Sequence, residues 1–314
     1  MAASPPPAAR VAAPRAPGFV DQVRDTFERE GTLGLLLMVP GFALLLVFMA
    51  YPFVLGIWLS LTDSTIATTG KFVGLENFVD LLTDSIYLQT AKNTFIYALV
   101  TVPFKALLGL GLALVLNNQM RAQSAIRAGV LLPWIVPTAL SSLGWFMIFD
   151  PVFSPVSWAL KSLGLIETNI NFLGDPTSAV ASVALANIWR GVPFFAISIL
   201  AGLQAVPQEL HEAAAIDGAG TVQRFLNVTM PVIIGVTMIT TLFSIIWTFG
   251  DFQLIYVLTK GGPANQTHIF GTYAYQIGLN ATQIGVGASI ALTMFPILTV
   301  FAIILLVYLS REGR

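Results

Sequence analysis

Residues 31–62 read GTLGLLLMVPGFALLLVFMAYPFVLGIWLSLT, a stretch without one charged side chain. A helix needs about 20 predominantly apolar residues to cross the hydrocarbon core of a bilayer, and this stretch supplies them near 33–60. Of the 314 residues, 56% are hydrophobic and only 10% are charged, against roughly 25% charged in an average soluble protein. A soluble globule of this size could not hide so much apolar surface from water. The sequence therefore predicts an all-α polytopic membrane protein.

Further apolar stretches predict five more membrane helices, which makes six in total. They are residues 94–115, the uncharged residues 128–149, and residues 178–203, 231–250 and 285–309. Two of these stretches contain a basic residue, Lys105 in the second span and Arg190 in the fourth. The long stem of a lysine can carry its ammonium group toward the membrane interface, so we expect a structural role for Lys105.

The basic residues of the connecting segments predict the orientation of the chain, because cytoplasmic loops are enriched in Lys and Arg. If the N-terminus is cytoplasmic, the inner segments hold Arg10, Arg15, Arg24, Arg29, Arg121, Arg127, Arg224, Arg311 and Arg314, and the outer segments hold only Lys71, Lys92, Lys161 and Lys260. Both termini are therefore expected in the cytoplasm.

The N-terminal residues 1–32 precede the first span and form a separate region. Residues 1–18 are rich in Pro and Ala and predict a disordered tail, and residues 21–30, DQVRDTFERE, predict either an amphipathic helix on the inner membrane surface or a solvated linker. A cleaved signal peptide is excluded because the first apolar run begins late and is too long. Residues 33–314 form the transmembrane domain.

The composition excludes several classes of chemistry. The chain has no cysteine and two histidines, His211 and His268, far apart in the sequence, so we expect no catalytic thiol, no disulfide and no metal site. The net charge is −1, which gives no support to nucleic-acid binding.

Polar and aromatic side chains recur along one face of two predicted spans. Asn187, Arg190, Gly191 and Phe194 have the spacing i, i+3, i+4 and i+7 that places them on one helix face, and Ser244, Trp247, Thr248 and Asp251 repeat that spacing. Polar groups inside a membrane are costly and usually face the interior of the bundle. Hydroxyl groups of a sugar could bond to the polar members and its ring could stack on the aromatic ones, so these eight residues are the predicted substrate-binding residues. For Arg190 the alternative is an ion pair with Asp251.

The segment between spans four and five, about residues 204–230, is too polar to cross a membrane. The sequence LHEAAAIDGAG, at 210–220, predicts a short helix that ends at Gly218 and Gly220, and TVQRFLNVTM, at 221–230, predicts a second segment up to Pro231. This helix–turn–helix is either a docking surface for another protein or an ordinary helical hairpin.

The same segment resembles the EAA motif of carbohydrate ABC-importer permeases of the maltose, glycerol-3-phosphate and trehalose type. The matching residues are Glu212, Ala213 and Ala214, then Gly218, then Val228, Thr229, Met230 and Pro231. The resemblance continues in NIWRGVPFF, at 187–195, and in FGDFQLIYVLTKGGP, at 249–263, and covers roughly residues 30–314. The eight predicted substrate-binding residues also occupy positions similar to the sugar-contacting positions of the maltose-type permease. That relative has an apolar residue where this chain has Arg190, and amides where it has Thr248 and Asp251.

The resemblance implies a type I ABC importer fold with six transmembrane helices and a cytoplasmic EAA coupling loop, in the cytoplasmic membrane of a bacterium. In this family the EAA helix inserts into a cleft of an ATP-binding subunit. Glu212 would make the charged contact, Ala213 and Ala214 would allow close approach, Asp217 would cap the helix or pair locally, and Gly218 would permit the bend. The implied partners are a second, homologous permease subunit, a dimer of ATP-binding subunits and an extracytoplasmic sugar-binding protein.

The predicted function is import of a sugar, such as the disaccharides trehalose or maltose, by alternating access powered by a separate ATPase. The chain has no G-x-x-x-x-G-K-[ST] motif, so ATP and Mg²⁺ are expected on the partner, and the chain is expected to be neither an enzyme nor a cofactor protein. A secondary-active transporter is the alternative. It is disfavoured because no acidic residue lies in the middle of a predicted span.

Overall fold

The structure is a computed structural model that describes residues 30–118 and 120–312. These residues form α-helices joined by short turns, and within them the only β-type pairing is one antiparallel bridge between Thr62 and Phe72. The helices, in chain order, are α1 (Glu30–Leu45), α2 (Tyr51–Ser60), α3 (Glu76–Leu81), α4 (Ser85–Leu116), α5 (Gln123–Ile135), α6 (Thr138–Ile148), α7 (Pro155–Ser162), α8 (Pro176–Gln204), α9 (Gln208–Ile216), α10 (Thr221–Arg224), α11 (Met230–Phe249), α12 (Phe252–Leu258), α13 (Phe270–Tyr275) and α14 (Ile284–Glu312). Three π-helical turns, Leu46–Ala50, Phe225–Thr229 and Gln276–Asn280, separate α1 from α2, α10 from α11 and α13 from α14.

The chain divides into two compact units, one that extends to Leu55 and one that begins at Gly56. The helical segment Leu33–Ser60 is long and apolar enough to cross a membrane, which confirms the first predicted span. The predicted tail and the possible interfacial helix before residue 30 lie outside the described residues. The division of the chain at residue 32 therefore stays a prediction.

Four more segments of the second unit are single helical spans by length and composition. They are Ser85–Leu116, Pro176–Gln204, Thr221–Phe249 and Ile284–Ser310. The first of them begins after Asp84, whose carboxylate accepts hydrogen bonds from the backbone N–H groups of Ile86 and Tyr87. Such a capping side chain fixes the start of a helix because it satisfies donors that the first turn leaves unpaired.

The predicted third span is not one helix. Residues 128–149 fall on α5 and α6, which meet at an angle of 88°. Pro137 has no N–H group to donate, and a residue before proline avoids the helical region; Val136 accordingly has an extended backbone, at φ −62° and ψ 128°. The count of six spans holds only if this bent pair is one span.

The predicted start of the fifth span at Pro231 is wrong. The helical segment begins at Thr221 and runs through Pro231 to Phe249. The π-helical turn Phe225–Thr229 precedes the proline, and there the backbone N–H of Met230 donates to the carbonyl of Phe225. This wider turn lets the helix continue past a residue that cannot donate to the regular hydrogen-bond pattern.

The core of the second unit lies between α4, α8 and α11. Helices α4 and α8 form the most extensive helix pair, and their close approach requires a glycine, since a Cβ atom at Gly109 would collide with Phe195. Phe195 and Ile199 of α8 and Ile233 of α11 are fully buried in the same apolar cluster. This packing brings the polar face of α8 next to the polar face of α11.

Candidate functional site

The eight predicted substrate-binding residues line one cavity of about 400 Å³, here called the Asp251 cavity. Its walls come from α4, α8, the end of α11, the start of α12 and the junction between α5 and α6. Five further residues complete the lining, and sequence reasoning assigned none of them to the site: Lys105, Trp134, Thr138, Gly250 and Gln253. The structure therefore brings together both predicted stripes and adds groups from four other helices, α4, α5, α6 and α12.

Asp251 is the centre of the polar network in this cavity. One carboxylate oxygen, Oδ1, accepts from the Arg190 guanidinium at 2.8 Å. The other, Oδ2, accepts from Asn187 Nδ2 at 2.7 Å and from the Tyr97 hydroxyl at 3.0 Å. The side chain of Asp251 is only 3% exposed, so these three donors replace the water that a carboxylate otherwise requires. The ion pair considered as the alternative for Arg190 is present.

Arg190 also connects this network to the bent helix pair. Its second terminal nitrogen donates to the Thr138 hydroxyl at 2.8 Å, and Thr138 is the first residue of α6. One guanidinium group therefore links α8 to the α11–α12 junction and to the α5–α6 bend, which uses the planar, multiple-donor geometry of arginine.

Lys105 does not reach toward the interface, and the expectation that it snorkels is wrong. Its side chain is buried, with 3% exposure, and Nζ donates to the Thr248 hydroxyl at 2.8 Å. A Cβ atom at Gly191 would collide with the Lys105 stem, so this glycine makes room for the lysine beside the cavity. The signal that could have identified Lys105 is its isolation in an otherwise uncharged span.

Three aromatic rings from three helices form one wall of the cavity. Trp134 stacks on Phe194 with ring centroids 4.9 Å apart and an interplanar angle of 15°. Trp247 completes the cluster, at 4.8 Å from Phe194 and 5.0 Å from Trp134. Trp247 is 43% exposed. The same cavity therefore has an apolar aromatic wall and a charged network.

One acceptor in the cavity has no partner in the described part of the chain. Asn187 is 2% exposed, its amide nitrogen is bonded to Asp251, and its Oδ1 atom makes no hydrogen bond. A buried acceptor without a donor costs free energy, about 1–3 kcal/mol. A hydroxyl donor in the cavity would remove that cost.

A larger cavity of about 580 Å³, the Tyr97 cavity, adjoins this network through Tyr97. Gln89, Lys92 and Asn93 of α4 contribute polar groups to its lining, and so does Tyr97. The Tyr97 hydroxyl bonds to Asp251, which lines the Asp251 cavity. The Tyr97–Asp251 contact is therefore part of the partition between the two cavities.

The predicted coupling residues lie on α9 and the turn after it. Glu212 is exposed and its carboxylate accepts from Gln208 at 2.9 Å. Ala213 is exposed and Ala214 is half-buried. Asp217 is exposed and occupies the C-cap position of α9.

Gly218 ends α9 in the left-handed conformation. Its φ is +80°, which favours glycine because other residues are strained there. Ala219 N–H donates to the carbonyl of Ala214, and Gly218 N–H donates to that of Ala215, the hydrogen-bond pattern of a Schellman motif. The predicted bend at Gly218 is confirmed.

The two histidines take no part in this cavity. His268 is buried, its Nδ1 atom is 3.1 Å from the Thr272 hydroxyl, and burial lowers the pKa of His268 to about 4. Within residues 30–118 and 120–312, no three His, Cys, Asp or Glu side chains are grouped so that they could hold a metal ion.

Comparison with known proteins gives consistent matches over nearly the whole chain. The trehalose/maltose transport system permease protein MalF of Thermococcus litoralis is 35% identical over 279 residues, which are 88% of this chain and 94% of that protein. The sn-glycerol-3-phosphate transport system permease protein UgpA of Yersinia pestis is 29% identical over 281 residues, 89% of this chain and 94% of that protein.

A solved structure shares the fold. One chain of a bacterial ABC transporter involved in the import of the acidic polysaccharide alginate superposes with a TM-score of 0.79 at 21% identity, covering 93% of this chain and 100% of that chain. Residues 31–312 match the family described as the binding-protein-dependent transport system inner membrane component. The chain therefore belongs to that family, as a multi-pass permease component with the type I ABC importer fold.

Proposed function

We propose that this chain is the permease subunit of an ATP-driven, binding-protein-dependent sugar importer, and that the Asp251 cavity holds the sugar during transport. The observation that carries the proposal is the pairing, in one cavity, of the aromatic wall of Trp134, Phe194 and Trp247 with the polar network around Asp251. A pocket with an apolar wall and a few placed polar groups is typical of small-molecule sites.

The chemistry of a sugar fits both halves of this cavity. Its C–H faces pack on aromatic rings, and its hydroxyl groups both donate and accept hydrogen bonds. Asn187 Oδ1 is a buried acceptor without a partner, and a sugar hydroxyl supplies the missing donor. Ser244 and Thr248, both buried, add hydroxyl groups on the α11 side.

The functions of two relatives support a hydroxylated substrate such as a sugar. The Thermococcus litoralis protein is a trehalose/maltose permease and the Yersinia pestis protein is a glycerol-3-phosphate permease. Trehalose, maltose and glycerol-3-phosphate all carry hydroxyl groups, and the two relatives match 88% and 89% of this chain.

ATP hydrolysis takes place on a partner subunit that docks on α9. Support comes from the exposed apolar residues that flank the Gly218 turn: Ile216 is 87% exposed and Val222 is 70% exposed. Glu212 supplies a charge on the same short helix, and the small side chains of Ala213 and Ala214 allow a partner to approach it closely. The positive-inside pattern supports a cytoplasmic position for this segment and for both termini.

The working complex contains a second, homologous permease, two ATP-binding subunits with ATP and Mg²⁺, and an extracytoplasmic binding protein. ATP-driven closure of the ATPase dimer moves α9, and α10 transmits this movement to α11 because both belong to one helical segment. Since α11 carries Ser244, Trp247 and Thr248, the movement changes access to the Asp251 cavity.

The test is the ATPase activity of this chain copurified with its partners in lipid, with and without binding protein, against a panel that includes trehalose, maltose and acidic sugars. Stimulation by one loaded binding protein is the expected result. If no ATPase copurifies and uptake follows an ion gradient, the secondary-active transporter replaces this proposal.

A further inference from the structure

The lining of the Asp251 cavity has more basic than acidic side chains. Among the described residues that line it, Lys105 and Arg190 are basic and Asp251 alone is acidic. The Arg190–Asp251 ion pair is direct, at 2.8 Å. Within the described chain Lys105 makes no ion pair of that kind, and its Nζ donates instead to the neutral hydroxyl of Thr248.

Asp251 makes no direct bond to Lys105. Its two carboxylate oxygens already accept from Arg190, Asn187 and Tyr97. These three donors come from α4 and α8 and hold the carboxylate in place. Lys105 therefore has no directly bonded carboxylate within the described chain.

The position of Lys105 is built by the fold. The stem fills the space where Gly191 has no side chain, and Nζ is held by Thr248, whose own hydroxyl proton goes to the Ser244 carbonyl at 2.6 Å. An ammonium group has three N–H donors, and this contact uses one of them. The others remain for a ligand in the cavity that Lys105 lines.

We infer that the transported sugar carries an acidic group, a carboxylate, phosphate or sulfonate, and that Lys105 is the residue that binds it. The inference rests on the proposed function and refines it, because the sequence led to the expectation of a neutral disaccharide. A buried cation without a counter-ion is unfavourable, and an anionic substituent supplies that counter-ion only when substrate is present. The aromatic wall then holds the sugar ring beside it.

The experiment measures binding to the complex of this chain with its copurified partners in lipid nanodiscs. The signal is tryptophan fluorescence, because Trp134 and Trp247 line the cavity. The probes are matched sugars, glucose against glucuronate and glucose 6-phosphate, with maltose as a neutral disaccharide. The variant Lys105→Gln removes the charge but keeps a donor for Thr248. Lys161→Gln is the matched control, since Lys161 is exposed on α7.

We expect the acidic probes to bind at least about tenfold more tightly than glucose, because charge-assisted hydrogen bonds are roughly twice as strong as neutral ones. Lys105→Gln should abolish this ratio, whereas Lys161→Gln should leave it unchanged. Lys105→Arg keeps the charge and should retain a preference for the acidic probes even if the affinity falls. Copurification of the partners verifies that each variant is folded.

The outcomes separate this inference from the proposed function. If neutral sugars bind as well as their acidic counterparts, or if Lys105→Gln keeps the preference for acidic sugars, the inference about Lys105 is wrong. The proposal that the Asp251 cavity binds a sugar is unaffected by either result. If neither class of sugar alters the fluorescence or the ATPase activity, the proposed function of the cavity is wrong, and the inference fails with it.

Discussion

Removing Asp251 alone should destabilise the protein more than removing Asp251 and Arg190 together. In Asp251→Leu, the guanidinium of Arg190, the amide of Asn187 and the hydroxyl of Tyr97 all lose their acceptor. Breaking a buried ion pair from one side costs about 3–5 kcal/mol. We expect a loss near 3 kcal/mol, the low end, because Arg190 keeps its bond to Thr138 and its side chain is 19% exposed.

The double variant Arg190→Met, Asp251→Leu removes both charges and leaves no uncompensated cation at this position. Replacing a whole buried ion pair by apolar residues is often close to neutral. The coupling free energy between the two positions should therefore be favourable and on the order of 2 kcal/mol, within the range for residues in one network. Asp251→Asn, which keeps one acceptor oxygen, should lie between wild type and Asp251→Leu.

The assay is thermal unfolding of the purified complex in nanodiscs, followed by tryptophan fluorescence, for the wild type, both single variants and the double variant. The stability order should be wild type, then the double variant, then Asp251→Leu. If the effects of the two single substitutions simply add in the double variant, the carboxylate is not the acceptor that holds Arg190 and the reasoning is refuted.

Three further predictions concern the coupling loop, the aromatic wall and a buried histidine. Glu212→Ala combined with Gly218→Leu should uncouple ATPase activity from uptake without preventing membrane insertion, because the double variant removes the Glu212 charge on α9 and places a strained residue at φ +80°. Normal uptake by this variant would show that α9 is not the docking surface. Trp247→Ala should impair sugar uptake while the complex still copurifies, since it opens the aromatic wall. The control Trp158→Ala, at a site 73% exposed and outside the cavity, should transport normally. Equal uptake kinetics for the two variants would contradict the assignment of Trp247 to the sugar site. Burial lowers the pKa of His268 from 6.5 to about 4, so the folded state binds fewer protons than the unfolded state between these values. The contribution of neutral His268 to stability is complete above pH 6.5 and is lost as the pH falls toward 4. His268→Gln should therefore flatten this part of the profile of unfolding temperature against pH, and an unchanged profile would refute the lowered pKa of His268.

The membrane class and most of the spans follow from local sequence. A helix in lipid must satisfy its backbone groups internally, so a long uncharged stretch such as residues 31–62 has few alternatives to a spanning helix. Local rules also predicted the turn at Gly218, because a glycine after an alanine-rich helix provides the left-handed residue of a C-cap. They failed at the third span, where the restriction that Pro137 places on Val136 divides one apolar run into two helices.

The fifth span shows the limit of reading a proline as a boundary. Pro231 was expected to separate residues 221–230 from the fifth span, yet the two form one helical segment from Thr221, because the backbone forms a π-helical turn before the proline. Whether a proline ends, bends or leaves a helix unbroken depends on the turn before it, and residue identity alone does not specify that turn.

The helical periodicity of α8 and α11 by itself determined which side chains share a face, and seven of the eight residues predicted for the cavity lie on these two helices, whereas Asp251 lies just beyond the end of α11. Only the tertiary structure decided what these faces meet. Lys105 and Trp134 come from other helices, and their neighbours are set by the crossing of α4 and α8 and by the bend between α5 and α6. Periodicity is a property of one helix, whereas a charge balance or an aromatic wall is made by contacts between helices, and these depend on packing over the whole bundle.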